Sequence, residues 1–380
     1  MRNDKMPASL PAKLIPERIR EAREARGLTA EQMADLLEVS RQAVAQFETG
    51  QAAPSPATLR NIISHTSQPL TFFTSAPARV GEPTTPFFRS LKRMEQAQRK
   101  RIGRRLQWAS DIVNLLERFI EIPAVNLPQI DFDPLVDGDE EIEDAAEKLR
   151  EHWGLGGGPI LALSGILENN GIIVVREKVR CSDMDAVSCW IAGRPLTLLS
   201  EEVTSGPRDL FNLAHELAHL ILHSGVEVNS SNLSSLEKQA NRFASAFLLP
   251  RIEFSREVLG SSILYFKTLK ERWGVSIAAM IYRSKDLGIL SDNQVSYLFK
   301  QMNIHRMRKV EPLDDKFPVA KPSILKEGIC MLIEHKVYTS ENIEEDLGIN
   351  LKDVEEICSL EAGYLDQRVV KFRPHLVLKN

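Results

Sequence analysis

The sequence predicts a mostly α-helical protein with one small α+β domain, a compact unit of four or five helices at the N-terminus and a helical C-terminal region. Three observations predict it. Apolar residues recur at helical spacing along most of the 380 residues. Strand-like runs are confined to one stretch, Gly171 to Leu199. A proline-bearing segment, Phe72 to Phe88 with Pro77, Pro83 and Pro86, separates the first helices from the rest of the chain; prolines at that density favour extended backbone and mark a linker.

At ~100–200 residues per domain the chain makes two or three domains. The expected divisions are 14–70 for the first helical unit, 71–88 for the linker, 89–128 for a long connecting helix, 139–302 for the α+β domain and 303–380 for a C-terminal helical region of unassigned role. Hydrophobic content of 43% and charged content of 26% suit a globular protein. A net charge of -4 excludes a polycation, so any nucleic-acid contact must rest on local positive charge. Cys181, Cys189, Cys330 and Cys358 form no CxxC pair, which argues against a disulfide framework and a cysteine-rich zinc site. The first residues lead into no apolar run, and no run approaches the ~20 residues of a membrane helix. The expectation is a cytoplasmic, reducing compartment and no membrane partner.

In the first unit, Glu17 to Arg26 reads as a helix stopped by Gly27. Thr29 caps a second helix, Ala30 to Leu37, and Ser40 a third, Arg41 to Glu48, closing at Thr49-Gly50; Ser55 or Pro56 starts a fourth with Leu59 and Ile62. Ala34, Val39, Val44 and Phe47 would form its small core. The connecting helix, Arg89 to Ile122, opens with a basic run to Arg105 and then carries Trp108, Ile112, Leu115, Leu116 and Phe119 as an apolar stripe. Its basic run is either a solvated face or an auxiliary DNA contact.

The α+β stretch reads as helices Ala145 to Trp153 and Ile160 to Asn169, then strands Gly171 to Arg176, Ser188 to Ala192 and Pro195 to Leu199, the last two joined at Gly193-Arg194. Towards the C-terminus, Lys309 to Pro322 looks like a linker, Ile324 to Leu360 like two or three short helices, and Val369 to Leu378 like an extended end.

The most informative residues are His215-Glu216-Leu217-Ala218-His219. Histidines at i and i+4 project from one helix face and can hold one Zn²⁺, while Glu216 beside the first can take a proton from a bound water. Catalytic zinc needs three protein ligands and an open position. Glu237, eighteen residues on, supplies the third, and Asn241 at i+4 would orient one histidine from behind. HExxH also arises by chance on helix surfaces; the apolar frame of Leu213, Ala214, Leu217, Leu220 and Ile221 and the spaced Glu237 weigh against chance. His223 continues the same face as a supporting or surface residue rather than a ligand, and Cys181 and Cys189 read as structural thiols.

HELAH followed by ExxANxFAxxxLLP, Glu237 to Pro250, resembles the ImmA/IrrE family of zinc metallopeptidases, with similarity over roughly 86–302. The resemblance implies a small gluzincin-like α+β domain, one zinc per chain on His215, His219 and Glu237, Glu216 as general base, and narrow cleavage of a partner protein, a repressor or antitoxin, in a stress-response setting. The pattern GLTxxxxAxxLxVSRxAVxxxExG from Gly27 resembles the Xre/Cro-type, lambda-repressor-like helix-turn-helix. That resemblance implies a homodimer on operator DNA, with Arg41, Gln42 and Gln46 at base edges and Ser40 and Arg60 at phosphates. Ala30 stands where relatives often carry glutamine. The blander reading of this unit is a protein-interaction module, and Glu31, Asp35, Glu38 and Glu48 dilute its positive charge.

Two functions are compatible with these residues. One is a regulator fused to a zinc endopeptidase. The other is a non-proteolytic transcription factor or antitoxin whose zinc senses or stabilises; Glu216 favours the first, since a structural site has no use for a base. Tyr265, Tyr282 and His223 are candidates for stabilising an oxyanion. A peptidase needs restraint, and Cys181 reaching the open metal position or the region 303–380 could supply it.

Overall fold

The computed structural model describes residues 13–77, 95–179, 184–229 and 231–366. In chain order its elements are α1 (Pro16–Ala25), α2 (Ala30–Leu37), α3 (Arg41–Thr49), α4 (Pro56–Thr66), α5 (Leu70–Thr74), α6 (Gln96–Glu117), α7 (Asp139–His152), α8 (Leu163–Asn169), β1 (Ile173–Glu177), β2 (Ala186–Ile191) and β3 (Arg194–Ser200). They continue as α9 (Gly206–Leu222), α10 (Leu233–Leu248), α11 (Arg251–Glu257), α12 (Ile263–Trp273), α13 (Ile277–Asp286), α14 (Asp292–Ile304), α15 (Ile324–Glu334), α16 (Ser340–Leu347) and α17 (Leu351–Ile357), with a 3₁₀ turn at Asp314–Lys316. The protein is mostly α-helical with one small sheet among the described residues. None of the described helices is long and apolar enough to cross a membrane.

Two compact units divide the chain. The first gathers the described residues among 1–79, 100–120 and 325–380. Its helix starts follow the caps in the sequence: the hydroxyls of Thr29, Ser40 and Ser55 accept from the backbone N–H of Gln32, Ala43 and Thr58. Gly50, at φ +78°, closes α3 in the left-handed conformation that a side chain resists. The core is broader than the four residues expected of it. Ala34, Val44 and Phe47 are buried, Val39 is half-buried, and Ile19, Ala22, Met33, Leu59 and Ile62 join them. The segment expected to be linker starts with α5, which buries Phe72 and Phe73; residues 78–88 lie outside the described residues. The start of the connecting helix, 89–94, also lies outside them, and α6 ends at Glu117, short of Ile122.

Helices α6 and α15–α17 complete this unit through buried polar contacts. Trp108 Nε1 donates to Glu21 at 2.7 Å, and Arg18, beside the same carboxylate, stacks over Phe72 with its guanidinium carbon 3.7 Å from the ring centre. Asp353 of α17 is 2% exposed, and accepts from Arg26 through both oxygens at 2.7 Å, from Arg105 at 2.6 Å and from Gln68 at 2.6 Å. The extended end expected at Val369 to Leu378 lies outside the described residues.

The second unit, the described residues among 80–99 and 121–324, holds the sheet in the order β1-β3-β2. β1 pairs parallel with β3, Val175 opposite Leu198; β2 pairs antiparallel with β3, Val187 opposite Leu198. The hairpin turns at Ala192-Gly193, both at positive φ, so Arg194 belongs to β3 rather than to the turn. α9 and α10 bury their apolar faces together with α7 and α13 in one core. Glu143 of α7, 1% exposed, ties these helices by accepting from Arg283 of α13 and Arg242 of α10.

The stretch Lys309 to Pro322 is not a loose linker. Glu311 and Asp314 accept from the fully buried Lys270 at 2.8 and 2.6 Å, and Glu311 also takes the first N–H groups of α13. Ala320 donates to Asp209 and accepts from Arg176. Gly206 lies so close to the Phe317 carbonyl that an added Cβ would sit 2.2 Å from its oxygen. These partners are distant in sequence, which is why the local pattern reads as linker.

Candidate functional site

α9 starts at Gly206-Pro207, where proline's missing N–H costs nothing, and has Asp209 in its first turn. Leu213, Ala214, Leu217, Ala218 and Leu220 are buried and fix its rotation. His215 and His219 lie one turn apart on the face that meets α10. Before α10, Asn229 turns the chain by accepting from the N–H groups of Ser231 and Asn232, and Glu237 then sits on the second turn of α10.

His215, His219 and Glu237 each place a donor atom within 4.8 Å of the others. The two Nε2 atoms are 3.1 Å apart; His215 Nε2 is 3.4 Å and His219 Nε2 3.5 Å from the Glu237 carboxylate oxygens. A tetrahedral ion with ligands at 2.0–2.1 Å spaces them by ~3.3 Å, so these three edges suit such an ion. Two imidazoles and a carboxylate converging in a buried place leave negative and lone-pair density that a cation would balance.

The electrostatics agree. Burial pushes the Glu237 carboxyl up, but His215 and His219 outweigh it and hold the group well below the usual carboxylate range. Burial pushes His219 down to about 4, with Glu237 opposing and His215 adding to the effect. The imidazole is therefore neutral and its lone pair available at ordinary pH.

Around the three lies a set of supports. Asn241 Oδ1 is 3.1 Å from His215 Nδ1. His219 Nδ1 is 2.8 Å from Nδ1 of His223, which is fully buried, not a surface residue; His223 Nε2 is 3.0 Å from Gln239 Oε1. Glu216, 4% exposed, accepts from Ser188 Oγ of β2 at 2.6 Å. Trp190 Nε1 donates to the Leu220 carbonyl, so two residues of β2 advance alongside four of α9, rises of ~6.6 and ~6 Å. Ser188, Gln239 and Pro134 carry no signal in the sequence. Only the i+8 spacing of His223 does, and it does not separate a buried position from a surface one.

A cleft of about 790 Å³ opens beside Asn241, lined in part by Phe211, Asn212, Ser245 and Tyr282. Of the three oxyanion candidates only Tyr282 lines it: Tyr265 donates its hydroxyl to the Glu257 carbonyl, and His223 is engaged behind His219. Cys189 is buried, its thiol pushed up to about 12 by burial and by Glu216, so it stays protonated. Cys181 lies outside the described residues.

In the first unit, Ser40, Arg41, Gln42 and Arg60 are exposed and Gln46 is half-buried on α3. Ser40 Oγ is also the cap of that helix. Glu48, read as diluting the positive charge, is buried and accepts from Arg23 and Arg20, so it neutralises internal cations; Glu31, Asp35 and Glu38 are exposed. Much of the described basic run of α6 is already paired: the exposed Lys100 and the half-buried Arg104 with Glu24, and the buried Arg105 with Asp353.

Residues 167–285 match the family model described as the IrrE N-terminal-like domain, Peptidase_M78, and residues 19–73 match a helix-turn-helix model. The chain therefore joins an Xre-type helix-turn-helix to an ImmA/IrrE-type domain, and the match to the second is narrower than the span 86–302 read from the motifs. No curated protein matches the chain.

Proposed function

We propose that this protein is a DNA-binding transcriptional regulator and a zinc metalloendopeptidase that cuts one partner protein, a repressor or an antitoxin. A joined helix-turn-helix and metallopeptidase-family domain supports the pairing of activities. The observation that carries the enzymatic half is the convergence of His215, His219 and Glu237 in a buried cluster, with Glu216 on the same helix as the histidines.

His215, His219 and Glu237 would hold one zinc ion per chain, and Asn241 would keep His215 oriented by accepting its Nδ1 hydrogen. Zinc held there would supply Lewis acidity, lowering the pKa of a water and polarising the scissile carbonyl. Glu216 takes the proton from the attacking water and returns it to the leaving amine; Ser188 holds one of its oxygens and so fixes how the other points. The cleft of about 790 Å³ beside Asn241 is the space proposed for substrate side chains. Arg41, Gln42 and Gln46 read base edges and Ser40 and Arg60 contact phosphates, in a homodimer whose half-sites are about one helical turn apart.

Metal analysis and a cleavage assay against candidate repressors test this together. The parent should carry one zinc, and His215→Ala and His219→Ala should each lose it. Glu216→Gln should keep zinc and stop cutting, because an amide cannot accept the proton. Full zinc retention in both histidine variants, or undiminished cleavage by Glu216→Gln, would refute the corresponding role.

A further inference from the structure

Three polar groups continue outward from His219 in a line. His219 Nδ1 meets His223 Nδ1 at 2.8 Å, His223 Nε2 meets Gln239 Oε1 at 3.0 Å, and Gln239 Nε2 meets the Pro134 carbonyl at 2.9 Å. His219 is 1% and His223 0% exposed, and Gln239 is buried with them. Two imidazoles can face each other in either sense, and nothing in the pair itself chooses one.

The far end chooses. A backbone carbonyl only accepts, so Gln239 must turn its NH₂ group to Pro134. Its oxygen is then left facing His223 Nε2, which must carry the hydrogen. His223 is fully buried with its two nitrogens facing an imidazole and an amide oxygen, a setting that disfavours a charged ring, so the ring holds a single hydrogen. With that hydrogen on Nε2, His223 Nδ1 can only accept, and His219 must donate from Nδ1. The hydrogen of His219 is thereby placed on the nitrogen away from the cluster, and its Nε2 lone pair is turned toward His215 Nε2 and Glu237.

We propose that His223 is a positioning residue for the metal site: oriented by Gln239 and the Pro134 carbonyl, it locks His219 in the one tautomer whose Nε2 can bind the ion. This rests on the reading of His215, His219 and Glu237 as zinc ligands. Histidine ligands commonly give their second N–H to a carboxylate, a carbonyl or water. Here a neutral imidazole takes that place, and it is an acceptor only because a carbonyl farther along the line requires it. The arrangement also makes the turn at Pro134 a support of the metal site, although that turn contributes no ligand.

Zinc affinity of the full chain, measured by competition with a chelator, tests this with zinc as the only probe. His223→Phe keeps a ring in the space but offers no acceptor, and its affinity should fall by about 10–100-fold, the usual range for losing such a support. His223→Gln offers an oxygen to His219 Nδ1 and should recover most of that loss, which a packing role alone would not. Gln239→Leu frees His223 to choose its own tautomer and should weaken zinc several-fold; it carries the test if His223→Phe does not fold. Nitrogen NMR of the parent should find the His219 hydrogen on Nδ1. Affinity within about twofold of the parent in folded His223→Phe, or unchanged affinity in Gln239→Leu, overturns the proposal. If His219→Ala loses zinc while His223→Phe keeps it, the metal site stands and this inference alone falls. If the parent binds no zinc at these ligands, the reading of the site falls and takes this inference with it.

Discussion

Replacing Asp353 by alanine should destabilise the helix-turn-helix unit, although Asp353 lies 304 residues beyond the last residue of α3. Its carboxylate is 2% exposed and accepts four hydrogen bonds, two from Arg26, one from Arg105 and one from Gln68. Truncation leaves the buried Arg105 without its main counter-charge, and breaking a buried pair from one side costs about 3–5 kcal/mol. The low end applies here, because Arg105 keeps Glu356 at 3.1 Å and Arg26 is partly exposed and can hydrate. A loss of about 3 kcal/mol lowers the melting point of a unit this size by about 12 °C, at roughly 4 °C per kcal/mol. Calorimetry of the full chain reads the shift, and hydrogen exchange over α1–α4 locates it. Asp353→Asn should lose less, since it keeps the shape and part of the bonding. The zinc binding proposed for His215, His219 and Glu237 should be unchanged in both, because Arg26, Gln68 and Arg105 all belong to the first unit. A melting point for Asp353→Ala within about 2 °C of the parent, with unchanged exchange over α1–α4, would refute the claim that residues 325–366 are part of the helix-turn-helix unit.

The same carboxylate sets an acid limit. Burial pushes Asp353 up, but Arg105 and Arg26 outweigh it and hold it below its ordinary 3.8; Glu24 is held below 4.5 by Lys100 and Arg104, again against burial. Both stay ionised in the fold at pH values where the unfolded chain has taken up a proton. Their stabilisation is therefore complete above those ordinary values and is lost as pH falls through the lowered ones. Acid unfolding of the first unit, followed by circular dichroism, should steepen below about pH 4, and Asp353→Asn should flatten that limb. On DNA chosen by selection from random duplexes, Arg41→Ala or Gln46→Ala should cost about 1–3 kcal/mol and relax base preference locally, whereas Arg60→Ala should weaken all sequences alike. Equal relaxation by all three would mean that α3 does not enter the groove as assigned.

The helices of the first unit were legible because their starts and stops are local. Thr29 and Ser40 announce α2 and α3 within three residues, and Gly50 closes α3 where a left-handed residue is needed. The sheet was legible from its apolar runs, with an error of one residue at the hairpin, where Ala192 rather than Arg194 takes the turn conformation beside Gly193. The illegible parts are carried by partners far apart in the chain. Glu311 caps α13 from 34 residues away and makes a structural strap of an apparent linker. Asp353 answers Arg26 across 327 residues, so a C-terminal region that looks like a separate piece shares a unit with the first helices. No short window of sequence contains both halves of either contact.

The metal cluster divides along the same line, and for a chemical reason. Ligands must converge on one point, and on helices convergence is a spacing: i and i+4 for the histidines, with a carboxylate on the helix packed beside them. Supports obey no such rule, since anything that accepts one hydrogen bond at the right place will serve. Asn241 is visible because it repeats the ligand spacing from Glu237 on its own helix. His223 repeats it from His219, yet the spacing gives only direction and not depth. The role proposed for it depends on Gln239, two residues past Glu237, and on a carbonyl at Pro134, 105 residues from that glutamine, which contributes no side-chain chemistry at all. A motif thus names the atoms proposed to touch an ion, while the protonation state that role requires would be set by groups that no motif contains.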